Sequence, residues 1–368
     1  MDDLTRLRTE LDGVDAQLIA AVARRQQIVA EIGRIKHAAG KQLRDYQRER
    51  EVLKHVRHRA VAAQLEPQLA ENVLKLLIEA SLTTQERDRL TLDAHGDGRH
   101  ALVFGGNGQM GQWFVRFLAA QGFGVQVVDP SGAPDGFEAL EDWTEAALMA
   151  DVLVLATPMR QTAPLLERLV ALKPAGLVFD IASIKAPLAT ALTAAAASGL
   201  KLCSLHPMFG PATALLSDRH VVYIDLGNAQ AVAEAKALFA PTMAQSCDAT
   251  LAEHDQLAAW VLGLSHALNI AFFDALSQSG IAAERLAQIS STTFERQFQV
   301  ASAVASEAPK LYHDIQHLNP LRAQVLAGLS AAVLRVADAG AAPDSATFET
   351  LFARGRDYLG ASRPQPPA

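Results

Sequence analysis

Basic, acidic and amide side chains recur at helical spacing near the start of the chain. Arg25 and Lys36 are eleven residues apart, about three turns of an α-helix, so both side chains would point the same way. Further polar residues share helix faces at three- or four-residue spacing, namely Asp45, Arg48 and Glu49 in one segment and Ser81 and Gln85 in another. Such a set could form one polar site. On spacing alone, a solvated surface with intrahelical ion pairs is the favoured interpretation.

Arg8 adds a constraint on this set. It precedes Arg25 by seventeen residues, which places it about 100° around the helix. In a straight helix the two arginines could not easily serve one site of the same chain. A site shared with a second copy of the chain could use both.

A glycine pattern later in the chain predicts a nucleotide site. The apolar run 101–104 leads into G-x-G-x-x-G, and a second apolar run ends at Asp129. Glycines allow a tight turn and close approach of a pyrophosphate to a helix N-terminus, and an acidic residue about 20 positions later suits ribose hydroxyls. No arginine follows Asp129 closely, which favours NAD over NADP. The candidate loop residues are Gly106, Asn107, Gly108, Gln109, Met110 and Gly111.

Polar residues also follow later apolar runs directly. Thr157, the segment 180–183 and His206 all occupy such positions. Open α/β sheets bind ligands beyond the carboxyl ends of their strands. His206 is therefore a candidate acid or base for hydride-transfer chemistry, although a structural histidine capping a turn is an equal alternative from position alone.

The elements that carry these residues fall into three zones. Residues 1–92 have apolar residues at helical steps, which predict three helices over about 3–39, 45–63 and 67–90. A polar linker, 93–98, precedes alternating short apolar runs and helices over 99–245, the pattern of a Rossmann-type parallel sheet. Residues 246–360 are helical again, and 361–368 are predicted to be a disordered tail. The expected fold class is multidomain, with an α/β domain between two all-α domains.

Composition excludes several classes of protein. The chain has 368 residues, enough for two or three domains, and its two cysteines exclude a disulfide-rich scaffold. A net charge of −7 gives no electrostatic case for nucleic acid binding. No uncharged apolar stretch reaches the roughly 18–20 residues that a membrane helix needs. The histidines lack ligand spacing, so no metal is expected, and we predict a cytoplasmic protein.

Residues 1–92 resemble the all-helical chorismate mutase family, and the match includes the run RDYQRER at 44–50. The resemblance implies a homodimer whose sites bind chorismate, using residues from both chains. The implied roles are carboxylate binding by Arg25, Arg48 and Arg8 from the second copy, contact with the ether oxygen by Lys36 and Gln85, and binding of the ring hydroxyl by Glu49 with Asp45 and Ser81 in support.

Residues 99–360 resemble prephenate dehydrogenase. The glycine loop and the segments DIASIK (180–185), LHPMFGP (205–211), EHDQ (253–256) and LYHDI (311–315) carry the resemblance. It implies bound NAD, His206 as acceptor of a hydrogen bond from the substrate 4-hydroxyl, and Ser183 touching that hydroxyl or the nicotinamide. Lys185 would lie near the cofactor or the substrate rim. His266 would line the site or, alternatively, be a buried histidine.

One feature departs from that family. A helical arginine that binds the side-chain carboxylate of prephenate is replaced here by Ala303, and Glu295 stands where another arginine is expected. Arg296, one residue away, is the candidate substitute. Tyr312 matches a position linked to tyrosine feedback, so tyrosine is a candidate regulator.

The sequence therefore predicts a bifunctional enzyme of tyrosine synthesis. It would convert chorismate to prephenate, and prephenate to 4-hydroxyphenylpyruvate by NAD-dependent oxidative decarboxylation. Three alternatives stay open at this point. The second half could prefer arogenate, it could bind NAD or tyrosine only to regulate the mutase, or the helical domain could be a dimerisation module without chemistry.

Overall fold

A computed structural model describes residues 2–94 and 96–361 of the chain. The expectations for the linker residue 95 and for the tail over 362–368 concern residues outside this part. The chain divides into two compact units. The first runs from the N-terminal helices to Ala182 and includes Leu188–Thr250. The second consists of Ser183–Pro187 and the chain from Leu251 onward.

Three helices form the N-terminal part of the first unit: α1 (Asp3–Ala38), α2 (Tyr46–Ala62) and α3 (Pro67–Leu92). Each begins at a side chain that accepts a hydrogen bond from a free backbone N–H of the first turn. Asp2 accepts from Thr5, Asp45 from Arg48 and Glu66 from Leu69. The three-helix prediction is confirmed, with ends within two residues of those expected.

Helix α1 presents an apolar stripe that its own chain does not cover. Its first five turns carry large apolar side chains whose exposed fractions lie between 52% and 58%, namely Leu4, Leu7, Leu11, Val14 and Leu18. Helix α1 has 36 residues, whereas α2 and α3 have 17 and 26. Its length of about 54 Å therefore exceeds that of either neighbour. Exposed apolar stripes of this size commonly mark a surface that binds another protein.

The rest of the first unit is a sheet with flanking helices. Its strands are β1 (His100–Phe104), β2 (Gly124–Val128), β3 (Glu138–Ala139), β4 (Val152–Leu155), β5 (Leu177–Asp180), β6 (Leu202–Pro207), β7 (His220–Ile224) and β8 (Gln245–Ala249). Their spatial order is β3-β2-β1-β4-β5-β6-β7-β8, and only the β6–β7 pair is antiparallel. The connecting helices are α4 (Gln109–Ala120), α5 (Thr144–Met149), α6 (Met159–Leu172), α7 (Ala189–Ala197) and α8 (Ala229–Phe239). The predicted Rossmann-type parallel sheet is confirmed.

Aromatic packing closes the core of this sheet domain. Trp113 and Phe117 of α4 stack with ring centroids 4.8 Å apart, and Phe117 stacks on Phe239 of α8 at 4.9 Å. The sheet continues past the expected domain end at residue 245, because β8 runs to Ala249 and pairs with β7 in parallel. The strand escaped prediction because its sequence, QSCDA, is polar and lies at the sheet edge, where no alternating apolar pattern is needed.

The connection predicted as a linker is partly packed. Gly96 donates its backbone N–H to the carbonyl of Gln121 at 2.9 Å, and a Cβ on Gly96 would lie 2.3 Å from the backbone nitrogen of Phe123. Asp93 accepts hydrogen bonds from His37 and Arg89. These contacts fix both ends of the connection.

The second unit is helical, as predicted. It contains α9 (Leu251–Ala258), a π-helical turn (Ala259–Leu264), α10 (Ser265–Ser277), α11 (Ala283–Gln288), α12 (Thr292–Ala305), α13 (Pro309–Leu318), α14 (Arg322–Ala341) and α15 (Ala346–Ala361). The segment Ser183–Pro187 also belongs to this unit, although it lies between β5 and α7 in the sequence. A short 3₁₀ turn, Ala186–Leu188, begins in this segment.

The expectation that no segment is long and apolar enough to cross a membrane is wrong. The π-helical turn joins α9 and α10 into one helix, Leu251–Gln278, and both this helix and α14 pass that test by length and composition. Only 17% and 11% of their most apolar windows are buried within the chain. Two such helices are weak evidence for membrane insertion, and the same exposure is expected of helices that pack against another subunit.

Candidate functional site

Arg25 lies half-buried between α1 and α3. Its guanidinium donates to the Leu77 carbonyl at 2.9 Å and to Ser81 Oγ at 2.7 Å. Ser81 Oγ is also 2.9 Å from Gln26 Oε1, so three polar side chains form one cluster. Burial lowers the pKa of Arg25, and within the described part of the chain no carboxylate pairs with it. A partly desolvated guanidinium without a counter-ion is suited to bind an anionic ligand.

Gln85 reaches α1 from the next turn of α3. Its Nε2 donates to the Val29 carbonyl at 2.8 Å, and the side chain lies against Gly33. A Cβ at Gly33 would lie 3.0 Å from Gln85 Cγ, so the glycine provides the room. Lys36 donates to the Leu43 carbonyl at 2.9 Å. An amide has two N–H donors and an ammonium has three, so both side chains keep donors for a ligand.

The Glu49 carboxylate, which the resemblance assigns to the ring hydroxyl of chorismate, is hydrogen-bonded to Arg44. Arg44 binds its carboxylate through two nitrogens, with Nε at 3.0 Å from Oε1 and Nη2 at 3.1 Å from Oε2. Arg48 pairs instead with Glu51 at 3.3 Å and has a 64% exposed side chain. Asp45 caps α2. The side chains of Arg25, Ser81 and Gln85 thus lie between α1 and α3. The side chain of Arg48 lies at the surface.

Arg8 does not join this cluster within one chain. Because α1 is one continuous helix, Arg8 lies about 25 Å along its axis from Arg25. Its side chain is exposed beside the apolar stripe of α1. Its position agrees with the sequence argument that it would serve a site of a second copy.

The glycine loop is fixed by close backbone packing. A Cβ at Gly111 would lie 2.0 Å from the Gly105 carbonyl oxygen, and a Cβ at Gly106 would lie 2.7 Å from Val127. Gly105 has φ +74°, and its Cβ would meet the Ala156 carbonyl oxygen at 2.6 Å. The requirement for Gly105 was missed, although the doubled glycine of GGNGQMG signals it. Gly108 begins α4 without a side-chain cap, which leaves first-turn N–H groups available.

Asp129 follows β2 and faces the same loop. Its carboxylate accepts from the Asn107 backbone N–H at 3.2 Å and from Ser131 Oγ at 2.6 Å. The Asn107 amide in turn donates to Ser131. An open helix N-terminus beside a fixed carboxylate fits the pyrophosphate and ribose of NAD, while the negative charge disfavours a 2′-phosphate. Gln109 and Met110 form the first turn of α4.

Thr157 and His206 lie at the same edge of the sheet as this loop. Thr157 follows β4, and Gly105 packs against its backbone nitrogen, since a Cβ there would approach within 2.9 Å. His206 is the penultimate residue of β6, pairs in register with Val222 of β7 and is 4% exposed. The carboxyl ends of β4 and β6 are the edge at which open sheets bind ligands.

In the second unit Asp255 holds the segment that carries Ser183 and Lys185. Its carboxylate accepts the backbone N–H of Lys185 at 2.7 Å and of Ala186 at 2.5 Å, and contacts His254 Nδ1 at 2.8 Å. Ser183 is half-buried. Lys185, which the resemblance places near the cofactor or the substrate rim, has a completely buried side chain. Asp255, the acid of EHDQ, was not predicted as a site residue.

The remaining candidates lie on the helices of the second unit. The ring of His266 packs on Tyr312 with centroids 4.4 Å apart, and burial lowers its pKa. Its Nδ1 has no hydrogen-bond partner among the described residues. Arg296 and Ala303 are both exposed on α12. Gln297, next to Arg296, donates to Asn269 at 2.8 Å, so an amide pair rather than a cation joins α10 and α12.

Three family models match consecutive parts of the chain. The model of chorismate mutase type II matches residues 7–86, that of the prephenate dehydrogenase nucleotide-binding domain 134–247, and that of the prephenate dehydrogenase dimerization domain 250–332. The chain joins a type II chorismate mutase domain to the two domains of a prephenate dehydrogenase. It is an isomerase and an NAD-dependent oxidoreductase of tyrosine biosynthesis.

Two curated relatives match most of the chain. The T-protein of Enterobacter agglomerans is 29% identical over 85% of this chain and 81% of its own length, and that of Haemophilus influenzae is 27% identical over 86% and 81%. The solved structure of prephenate dehydrogenase from A. aeolicus, in complex with hydroxyphenyl propionate and NAD+, shares the fold. It has a TM-score of 0.56 and 17% identity, covering 71% of this chain and 98% of its own.

The dehydrogenase model begins after the glycine loop, so the geometry of that loop needs its own test. We expect Gly111→Ala to destabilise the nucleotide-binding domain, because its Cβ would overlap the Gly105 carbonyl. Gly108→Ala is the matched control, since its Cβ would lie 3.3 Å from the same oxygen at an ordinary φ of −69°. The midpoint temperature of thermal unfolding should fall only for Gly111→Ala, by about 4 °C or more. Equal unfolding midpoints for the two variants would contradict the packing role.

Proposed function

We propose that α1–α3 bind chorismate with Arg25 as the main carboxylate ligand. The observation that supports this is the half-buried guanidinium, which hydrogen-bonds Ser81 and the Leu77 carbonyl but has no carboxylate partner in the described chain. A substrate carboxylate would supply the missing charge. Arg48 is exposed enough to turn from Glu51 toward the second carboxylate, with Asp45 keeping its helix start in place.

The rearrangement itself needs only shape and charge. Conversion of chorismate to prephenate is a unimolecular Claisen rearrangement, in which the C–O ether bond breaks as a C–C bond forms. The protein must hold a compact conformer and stabilise negative charge on the departing ether oxygen. Lys36 and Gln85 keep donors for that oxygen, and Glu49 would accept the ring hydroxyl proton in a hydrogen bond.

A homodimer would complete each mutase site. Arg8 would enter the site of the other copy, and the apolar stripe of α1 would be buried between the two chains. The exposed faces of α10 and α14 would form a second contact, in the region matched by the dimerization-domain model. Such isologous contacts bury the same surface on both subunits.

In the second half, His206 would act on prephenate at the carboxyl edge of the sheet. Neutral imidazole accepts the hydrogen bond of the ring hydroxyl, and it takes the proton as the C–H bond of that carbon breaks. NAD, when bound, supplies the hydride acceptor. Loss of the ring carboxylate as CO₂ then makes the ring aromatic. Ser183 would orient the hydroxyl, and the glycine loop with Asp129 and Thr157 would hold the dinucleotide.

Prephenate is the proposed substrate although Ala303 removes the expected cation. Arg296, one residue from the position of Glu295, would bind the side-chain carboxylate. His266 would line the same region, and Tyr312 against it would make the site responsive to tyrosine. The two free cysteines fit a reducing compartment, so we place the enzyme in the cytoplasm.

The test is NADH formation by the purified chain with prephenate or arogenate, beside chorismate turnover. We expect kcat/KM for prephenate to exceed that for arogenate at least about tenfold, because the ammonium group of arogenate would lie beside the cation that binds the neighbouring carboxylate. Arg296→Ala should raise KM for prephenate, whereas Arg285→Ala, on α11, should not. Preference for arogenate would assign another substrate. No NADH from either, beside a working mutase, would leave the second half a regulatory role.

A further inference from the structure

A loop of the nucleotide-binding domain touches the mutase helices. We call residues 211–218, between β6 and β7, the junction loop. Its Thr213 carbonyl accepts a hydrogen bond from Trp113 Nε1 at 3.0 Å, which fixes the loop on α4. At its other end Ser217 and Asp218 reach the start of α2. Asp218 has φ +60°, a left-handed conformation that aspartate tolerates better than most residues.

Arg44 connects this loop to Glu49. Its Nε and Nη2 bind the Glu49 carboxylate, while its Nη1 donates to Ser217 Oγ and Asp218 Oδ2 at 2.5 Å each. The guanidinium is rigid and planar, so fixing one edge orients the other. Arg44 and Glu49 have side chains only 22% and 20% exposed, which limits screening by solvent.

Asp218 is itself held in place. Tyr46 donates its hydroxyl to Asp218 Oδ1 at 2.8 Å, and the Arg44 guanidinium lies 4.4 Å from the centre of the Tyr46 ring. Burial opposes ionisation of Asp218, yet the bonds from Tyr46 and Arg44 outweigh it and lower its pKa. Burial likewise opposes the charge of Arg44, but Glu49 and Asp218 raise its pKa. Asp218 and Arg44 therefore both remain ionised at neutral pH.

A second contact fixes the loop to α3. Glu86, next to Gln85, is 2% exposed and accepts the backbone N–H groups of Leu216 at 2.8 Å and Met243 at 2.6 Å. Burial raises its pKa, so these two hydrogen bonds compensate for a costly desolvation. The junction loop is thus bound to both α2 and α3, beside the proposed ligands Glu49 and Gln85.

We propose that Asp218, a residue of the dehydrogenase half, is a positioning residue of the mutase site. Through Arg44 it fixes the direction of the Glu49 carboxylate that binds the ring hydroxyl of chorismate. This inference rests on the proposed role of Glu49. Without Asp218, Arg44 keeps the Glu49 carboxylate five residues away and only the neutral Ser217 hydroxyl in the junction loop. The side chains of Arg44 and Glu49 then regain rotamer freedom that binding must remove.

The test compares mutase kinetics of full-length variants. Asp218→Asn removes the charge and keeps a residue that tolerates a left-handed backbone. We expect mutase kcat/KM to fall about three- to tenfold, mainly through KM, because ground-state and transition-state binding are lost together. Arg44→Lys should do the same, since an ammonium cannot bridge both carboxylates. Asp248→Asn is the matched control, with Asp248 69% exposed and paired to Lys236 in the same domain, against 57% for Asp218.

A double-mutant comparison separates positioning from general loosening. In a Glu49→Gln background, Asp218→Asn should have no further effect on the mutase, because its target is already lost. NAD binding and the unfolding midpoint should match those of the wild type. Wild-type mutase kinetics in Asp218→Asn, or an equal loss with and without Glu49, would overturn the inference alone. Wild-type kinetics in Glu49→Gln itself would overturn the proposed role of Glu49, and the inference with it.

Discussion

His206→Asn should lower the rate of NADH formation from prephenate by a factor of about 10²–10⁴, the range that loss of one positioned acid or base produces. It should leave chorismate turnover unchanged. Asparagine can still accept a hydrogen bond through its amide oxygen, but it cannot take up the hydroxyl proton as the hydride leaves. The variant therefore separates proton transfer from simple substrate contact.

The surroundings of His206 make this separation clean. The residue is 4% exposed and its backbone is held in register with Val222, so a smaller polar side chain will not move β6. The mutase cluster around Arg25 belongs to other helices, which is why its rate should persist. The readouts are steady-state NADH formation and, separately, chorismate disappearance.

His220→Asn is the matched control for that experiment. His220 begins β7, the antiparallel neighbour of β6, and its side chain is exposed. It should retain wild-type NADH formation. Equal rates of NADH formation for His206→Asn and the wild type would exclude His206 as the proton acceptor. Ser183 would then be the next candidate for contact with the substrate hydroxyl.

Local patterns were enough to predict most of the fold. Helices α1–α3 carry both a regular apolar period and acceptors at their starts, and these two signals agree. The parallel strands are short runs of buried apolar residues, as β4 and β5 show. In contrast β8, a polar edge strand, carries no such pattern and was missed.

The parts of the sites that the sequence did not predict depend on distant residues. Asp218 is 174 positions from Arg44, and Glu86 is 130 positions from Leu216. Asp255 binds backbone N–H groups 69 and 70 positions away. No spacing rule connects such positions, because they meet only when separate elements fold together. Side chains within one helix, such as Ser81 and Gln85, were predictable since helix geometry alone fixes their relation.

The exposed stripe of α1 leads to the second large effect, which concerns subunit sharing. Arg8→Ala and Arg25→Ala should each abolish most chorismate turnover as homodimers, because each removes one carboxylate ligand from both sites. A heterodimer of the two variants should regain about half of the wild-type mutase rate. One of its two sites then combines the intact Arg25 of one chain with the intact Arg8 of the other.

The neighbouring arginines of α1 serve as controls. Arg6 pairs with Asp3 and Glu10, and Arg24 bonds Gln27, so both occupy other faces of the same helix. Arg6→Ala and Arg24→Ala should retain the mutase rate. Co-expression with two affinity tags isolates the heterodimer, and NADH formation from prephenate reports that the second half of each variant is intact.

Geometry makes the heterodimer result decisive. If Arg8 and Arg25 served one site within one chain, both sites of the heterodimer would lack an arginine and it would be inactive. The separation of about 25 Å along α1 argues against that arrangement, since chorismate is much shorter. Recovery of activity would also explain why Leu4, Leu7 and Leu11 lie exposed beside Arg8. By packing between the chains, they would bring Arg8 of one chain close to Arg25 of the other.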